Sequence, residues 1–167
     1  IWGWPRILER LEGMFALGIY DRINQKVYLA RDRIGIKPLF FHSQGNEFIF
    51  ASEIKAIPAY IGPKPLNRST SLNAILTTGL CPPGTTMFQD IQELEPGCYL
   101  EYDLRSSRQQ IQRYFDITSL VSKDEYLELA KLPAKELVSR HCDIFNQSIA
   151  SHLISDAKLG VMFSAGL

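Results

Sequence analysis

A chain of 167 residues with 18 basic and 18 acidic side chains carries no net charge, which removes the electrostatic case for binding nucleic acid or an anionic membrane. With 46% hydrophobic and 22% charged residues it reads as a globular protein with a real core, one domain or parts of two, and not as a disordered chain. No apolar run approaches the ~20 residues that span a bilayer and no secretory signal pattern is present. The three cysteines are widely spaced, with neither a CxxC pair nor a metal spacing, so reduced cytoplasmic thiols are expected.

In chain order, Pro5 suits the first turn of a helix, with Ile7, Leu8 and Leu11 on one face and Gly13 able to cap its end. Trp2 and Trp4 read as packing aromatics. Residues 14–20 are apolar except for Gly18, which predicts a strand buried on both faces. Residues 26–31, 38–42 and 47–52 follow as strands rich in Val, Tyr, Phe and Ile. The joins at 22–25 and 43–46 are short and polar, as in antiparallel hairpins. Together they predict one antiparallel sheet, covered on both faces, at the centre of the fold.

Between the second and third of these strands lies a charged turn, Arg31-Asp32-Arg33-Ile34-Gly35-Ile36-Lys37-Pro38. Gly35 admits backbone conformations that other residues resist, and Pro38 fixes φ where the next strand begins. Arg31 and Asp32 can pair with each other or bond turn backbone. A turn with a charged tip needs no function.

Residues 53–56 form a short helix stopped by Pro58, and 61–67, with Gly62, Pro63 and Pro65, a loop. A helix over 69–78 is ended by Gly79. Residues 80–86 are a rigid surface connection and 91–97 a turn. Residues 98–102 and 111–115 are strands around a polar hairpin loop. From 116 to 131 the composition becomes more charged and less regular, as in an interdomain linker. Pro133 opens a helix over 134–153, in which Val138, Cys142, Phe145, Ile149 and Leu153 recur at helical spacing as a buried stripe. Residues 158–163 read as the first strand of a parallel, doubly wound sheet. The small residues after it would let backbone N–H groups approach a phosphate. Cys81, Cys98 and Cys142 are expected to be passive thiols. His42, His141 and His152 have no catalytic partner at recognisable spacing and read as surface or interface residues.

Five stretches in order, LEGMFALGIYD at 11–21, ARDRIGIKPLFF at 30–41, FASEIKAI at 50–57, ELEPGCYLEYD at 93–103 and LGVMFSAGL at 159–167, resemble the glutamine-hydrolysing asparagine synthetase family. Its members join a class II glutamine amidotransferase domain to an ATP-pyrophosphatase-type synthetase domain. The resemblance implies an α+β fold. Residues 1–120 would be an incomplete αββα sandwich of the N-terminal-nucleophile type and 121–133 a linker. Residues 134–167 would begin an α/β nucleotide-binding domain.

The family hydrolyses glutamine with an N-terminal cysteine whose own amino group is the base. Residue 1 here is Ile and the family's glutamine-holding motifs have no counterpart. No catalytic residue and no metal ligand is therefore assigned, and the segment alone is expected to be inactive. By resemblance, Met162 would offer backbone to the adenine of ATP, while Ser164, Ala165 and Gly166 would cradle its pyrophosphate. Ala165 departs from the glycine usual in asparagine synthetases. Met14 and Ile36 would line an ammonia tunnel. The implied whole is a cytoplasmic enzyme that uses glutamine, aspartate and ATP with Mg²⁺, and a homodimer is compatible with it. Two alternatives stay open: a β-lactam synthetase-like or other amide-forming amidotransferase, and a catalytically silent scaffold.

Overall fold

The computed structural model describes residues 3–67 and 71–162. They form two compact units, one up to Asp116 and one from Ile117 onward. The first holds seven strands, β1 (Ala16–Asp21), β2 (Lys26–Arg31), β3 (Phe40–Gln44), β4 (Glu47–Ala51), β5 (Ile91–Glu93), β6 (Cys98–Asp103) and β7 (Arg108–Arg113), with helices α1 (Ala56–Ile61) and α2 (Ser71–Thr78). The class is α+β. All strand pairs are antiparallel, in a four-stranded sheet ordered β1-β2-β6-β7 and a three-stranded sheet ordered β4-β3-β5.

The hairpins follow from local chemistry. At the β1–β2 turn the Asp21 carboxylate accepts from the backbone N–H groups of Ile23 and Asn24, and Gln25 takes a positive φ. The β6–β7 turn repeats the device with Asp103, which accepts from the N–H groups of Arg105 and Ser106. The expected single meander, however, splits. The charged turn after β2 carries the chain out of the first sheet, so β3 and β4 belong to the second.

Alternation along β2 and β6 builds the core. Leu29, Leu100, Cys98 and Tyr102 face one cluster with Phe41, Leu39 and Leu94. Ala30 and Tyr99 face the other way, into a cluster with Leu8. Phe48 of the second sheet stacks on Tyr102 at 4.2 Å. Trp4 packs edge-on against Tyr99, with ring centroids 5.5 Å apart; Trp2 lies outside the described residues. The central strands are thus covered on both faces, as expected. β1 is not. It is an edge strand whose Ile19 and Tyr20 are exposed. Gly18 stands where an added Cβ would lie 2.7 Å from the Phe50 ring, so its lack of a side chain admits an aromatic from the second sheet.

Other expectations are corrected. Residues Arg6–Arg10 form a 3-10 helix, not an α-helix. Pro58 does not stop a helix; it sits in the first turn of α1, where its missing N–H has no intrahelical partner to lose. Residues 91–93 are a strand, drawn into the second sheet by pairing with β3.

The second unit contains a 3-10 turn (Ile117–Leu120), α3 (Lys123–Leu129) and α4 (Ala134–His152). The stretch read as irregular thus carries a helix, started by the Ser122 hydroxyl accepting from the Glu125 N–H. α4 begins after Pro133 as expected, but its stripe is exposed: Val138, Phe145, Ile149 and Leu153 are all open to solvent. Residues 158–162 lie in no strand. A parallel strand exists only with neighbours to bond it, and none of the described residues provides one. No helix among the described residues is long and apolar enough to cross a membrane.

Leu29 is fully buried in the larger cluster. Leu29→Ala is expected to cost about 2–5 kcal/mol, measured as a fall in the urea midpoint at unchanged slope.

Candidate functional site

The turn between the sheets concentrates side-chain-to-backbone hydrogen bonds on two charged residues, Asp32 and Arg31. Asp32 is 1% exposed. Its Oδ1 accepts from the N–H groups of Ile34 at 3.2 Å and Ile36 at 3.0 Å. Its Oδ2 accepts from Lys37 at 2.9 Å and, across the sheet, from Phe15 at 3.3 Å. The Asp32 main chain adds three bonds: its N–H donates to the Phe15 carbonyl, and its carbonyl accepts from Gly35 and Gly97. Burial alone would raise the carboxyl's pKa. The N–H groups of Lys37, Ile36, Gly35 and Ile34 outweigh it and hold the pKa below the ordinary aspartate value.

Arg31 completes the turn from the other side. Its Nε donates to the Lys37 carbonyl at 2.8 Å, Nη2 to Gly35 at 2.8 Å and Nη1 to Leu94 at 2.7 Å. Its ion pair is with Glu93 of β5, at 2.8 Å, rather than with Asp32. The guanidinium therefore joins β2 of one sheet to β5 of the other. The Tyr114 hydroxyl donates to the Arg31 carbonyl at 2.8 Å, and burial pushes its pKa up to about 12. Gly35, at φ +73°, lies where a Cβ would sit 2.6 Å from Pro96 and 3.1 Å from the Arg31 guanidinium carbon. Of the two options for Asp32 it is turn backbone that the side chain bonds. Glu93, Tyr114 and Gly97 were not legible as partners, because they lie more than 60 residues away in sequence.

Of the two residues that the resemblance gives to an ammonia tunnel, Ile36 lies within this turn and Met14 next to Phe15, which bonds it. Met14 and Ile36 are each about half exposed, at 46% and 50%. Met14 lines a cavity of about 360 Å³ with Phe15, Ala16, Lys37, Pro38 and Ser52. Ile36 is not among its lining residues, although its N–H and that of Phe15 meet on the same carboxylate.

Elsewhere the described residues offer little for catalysis. Cys98 lines a cavity of about 460 Å³ with Gln92, Glu95 and Arg113. Burial pushes its thiol up and the nearby Arg113 cation only partly opposes this, which disfavours the thiolate. Cys81 is half-buried and Cys142 exposed. His42 is buried rather than on the surface, its Nδ1 donating to the Asp90 carbonyl at 2.7 Å. His141 stacks on Phe145, and His152 bonds the Ser148 carbonyl on the same exposed helix. Among the described residues no three His, Cys, Asp or Glu side chains cluster as a metal site. Met162 is fully exposed; Ser164, Ala165 and Gly166 lie outside the described residues.

The sequence profile of the glutamine amidotransferase domain matches residues 1–115. The chain is 32% identical over 165 residues to asparagine synthetase [glutamine-hydrolyzing] 2 of Bacillus subtilis (strain 168), covering 96% of this chain and 22% of that protein. It is 31% identical over 163 residues to asparagine synthetase [glutamine-hydrolyzing] 3 of the same organism, covering 96% of this chain and 25% of the relative. A putative asparagine synthetase [glutamine-hydrolyzing] 2 of Methanocaldococcus jannaschii is 27% identical over 169 residues, covering 96% of the chain and 30% of the relative. The chain thus spans about a quarter of the length of these relatives.

Asp32→Ala strips acceptors from four backbone N–H groups and is expected to cost about 2–4 kcal/mol in denaturant unfolding. Gly35→Val, strained at positive φ and clashing with Pro96, should also destabilise. The depressed pKa fixes a sign. Asp32 contributes stability above its unfolded pKa and loses it as pH falls through the folded one, so the wild type should weaken with acid below the ordinary aspartate range. Asp32→Ala should weaken less over that window, in urea titrations run as a pH series.

Proposed function

Since the chain belongs to the glutamine amidotransferase domain family, we propose that it is part of a glutamine-dependent asparagine synthetase. The full-length protein releases ammonia from glutamine, activates aspartate with ATP and Mg²⁺ as an adenylate, and joins the two. The observation that carries this reading is the relation to proteins named asparagine synthetase, which extends past the amidotransferase domain and over 96% of the chain. In this reading the two antiparallel sheets are the inner layers of an αββα sandwich, and residues 134–167 begin the nucleotide-binding domain.

The described residues form no site for ATP or Mg²⁺. The assignment of Met162, Ser164, Ala165 and Gly166 to ATP rests on resemblance to the pyrophosphate loop, as does that of Met14 and Ile36 to an ammonia path.

The test is amide formation by the full-length protein. It should make asparagine from aspartate and ATP with glutamine as the nitrogen donor. Failure to amidate aspartate, with turnover of another carboxylate, would favour a different amide-forming enzyme. Gly166→Val should abolish ATP binding in isothermal titration and leave glutaminase activity without ATP intact. Unchanged ATP affinity would remove the loop from the nucleotide site.

A further inference from the structure

We propose that Asp32 is a positioning residue for ammonia transfer, its Oδ2 clamping residues 14–15 against residues 36–37 and so fixing the wall of the cavity between them. The proposal rests on the reading of Met14 and Ile36 as tunnel residues.

The geometry separates two jobs in one carboxylate. Oδ1 accepts only from within the turn, from Ile34 and Ile36. Oδ2 accepts from Lys37 in the turn and from Phe15 outside it. Phe15 follows Met14 and Lys37 follows Ile36, so one oxygen joins the two segments that carry the tunnel residues. Met14, Phe15, Lys37 and Pro38 also line the cavity of about 360 Å³.

A clamp is needed at this place. Ladder pairing of β1 with β2 ends at Ala16 opposite Arg31. Beyond it a single backbone bond continues, from the Asp32 N–H to the Phe15 carbonyl. Among the described residues the Phe15 N–H has no strand opposite, and it takes the carboxylate instead. The turn itself does not depend on that contact, since Arg31 holds Gly35, Lys37 and Leu94 independently. What Oδ2 adds is registration between an edge strand that has run out of partner and the turn facing it.

Neutral ammonia that escapes to water is protonated and lost as a nucleophile. A wall that opens therefore wastes glutamine without slowing the synthetase chemistry.

Asp32→Asn tests this. The amide keeps the shape and only one acceptor oxygen. With that oxygen at the Oδ1 place the bonds from Ile34 and Ile36 survive, while an NH2 group faces the Phe15 and Lys37 N–H groups and the clamp opens. In the full-length protein the readout is glutamate formed per asparagine formed, a ratio that does not depend on the folded fraction. Asp32→Asn should raise this ratio about threefold, at the low end of what a coupling contact carries. The asparagine rate with saturating external ammonia, per folded molecule, should stay at the wild-type level.

Lys37→Pro is the second variant. It removes one N–H that Oδ2 accepts, leaves Asp32 in place and should also raise the ratio. It supplies the answer if Asp32→Asn yields no folded protein. Met14→Trp and Ile36→Trp, which add bulk to the path, should raise the ratio too. If neither does, the tunnel reading fails. If they do and both Asp32→Asn and Lys37→Pro leave the ratio unchanged, Asp32 is structural only and the proposal is overturned.

Discussion

A buried carboxylate survives in a protein interior only when its charge is met by donors. Asp32 meets that condition with backbone alone, four N–H groups on two oxygens. The remaining features of the turn follow from this constraint. The chain must curl tightly enough to aim the N–H groups of Ile34, Ile36 and Lys37 at one side chain. That curl demands a positive φ at Gly35. The curl also turns carbonyls outward, and the Arg31 guanidinium collects those of Gly35 and Lys37. Neighbouring residues of opposite charge thus divide the turn's polar groups, the acid taking the donors and the base the acceptors.

The same turn decides the architecture. Because it lifts the chain off β2, β3 starts a second sheet in place of a third rung of the first. Arg31 then ties the sheets together through Glu93 and Leu94. The apolar filling between them, from Leu29 to Phe48, closes around that link. Because the Arg31 side chain is buried and Glu93 is only partly exposed, removing Glu93 would be the costly way to break this pair, leaving the guanidinium without its counter-charge. The polar turn and the apolar core therefore stabilise one arrangement together.

Much of this was legible in the sequence. β2 was legible from its run of Val, Tyr and Leu, the hairpin turns from their short polar joins, and the conformation at residue 35 from its glycine. The family resemblance was carried by short ordered stretches, and the profile match over residues 1–115 agrees with it. What was not legible needed knowledge of neighbours. Residues 14–20 are apolar enough for a strand covered on both faces, yet β1 is an edge, and exposure depends on what lies alongside. Residues 91–97 carry turn chemistry, yet Ile91–Glu93 pairs because β3 offers a free edge. The α4 stripe has the right period for burial but nothing among the described residues covers it. His42 looked like a surface residue because nothing local announces the Asp90 carbonyl that it meets.

The Asp32 carboxylate holds its turn as firmly as a strand ladder holds its residues. Amide hydrogen exchange at neutral pH tests it most directly, at Phe15, Ile34, Ile36 and Lys37. None of the four donates to a backbone carbonyl within a helix or strand, so without the carboxylate each would exchange as an open loop. Their protection should approach that of the Leu29 and Leu100 amides in the core strands, opening only with the whole unit. Exchange at the rate of an unprotected loop, with β2 and β6 still protected, would contradict it.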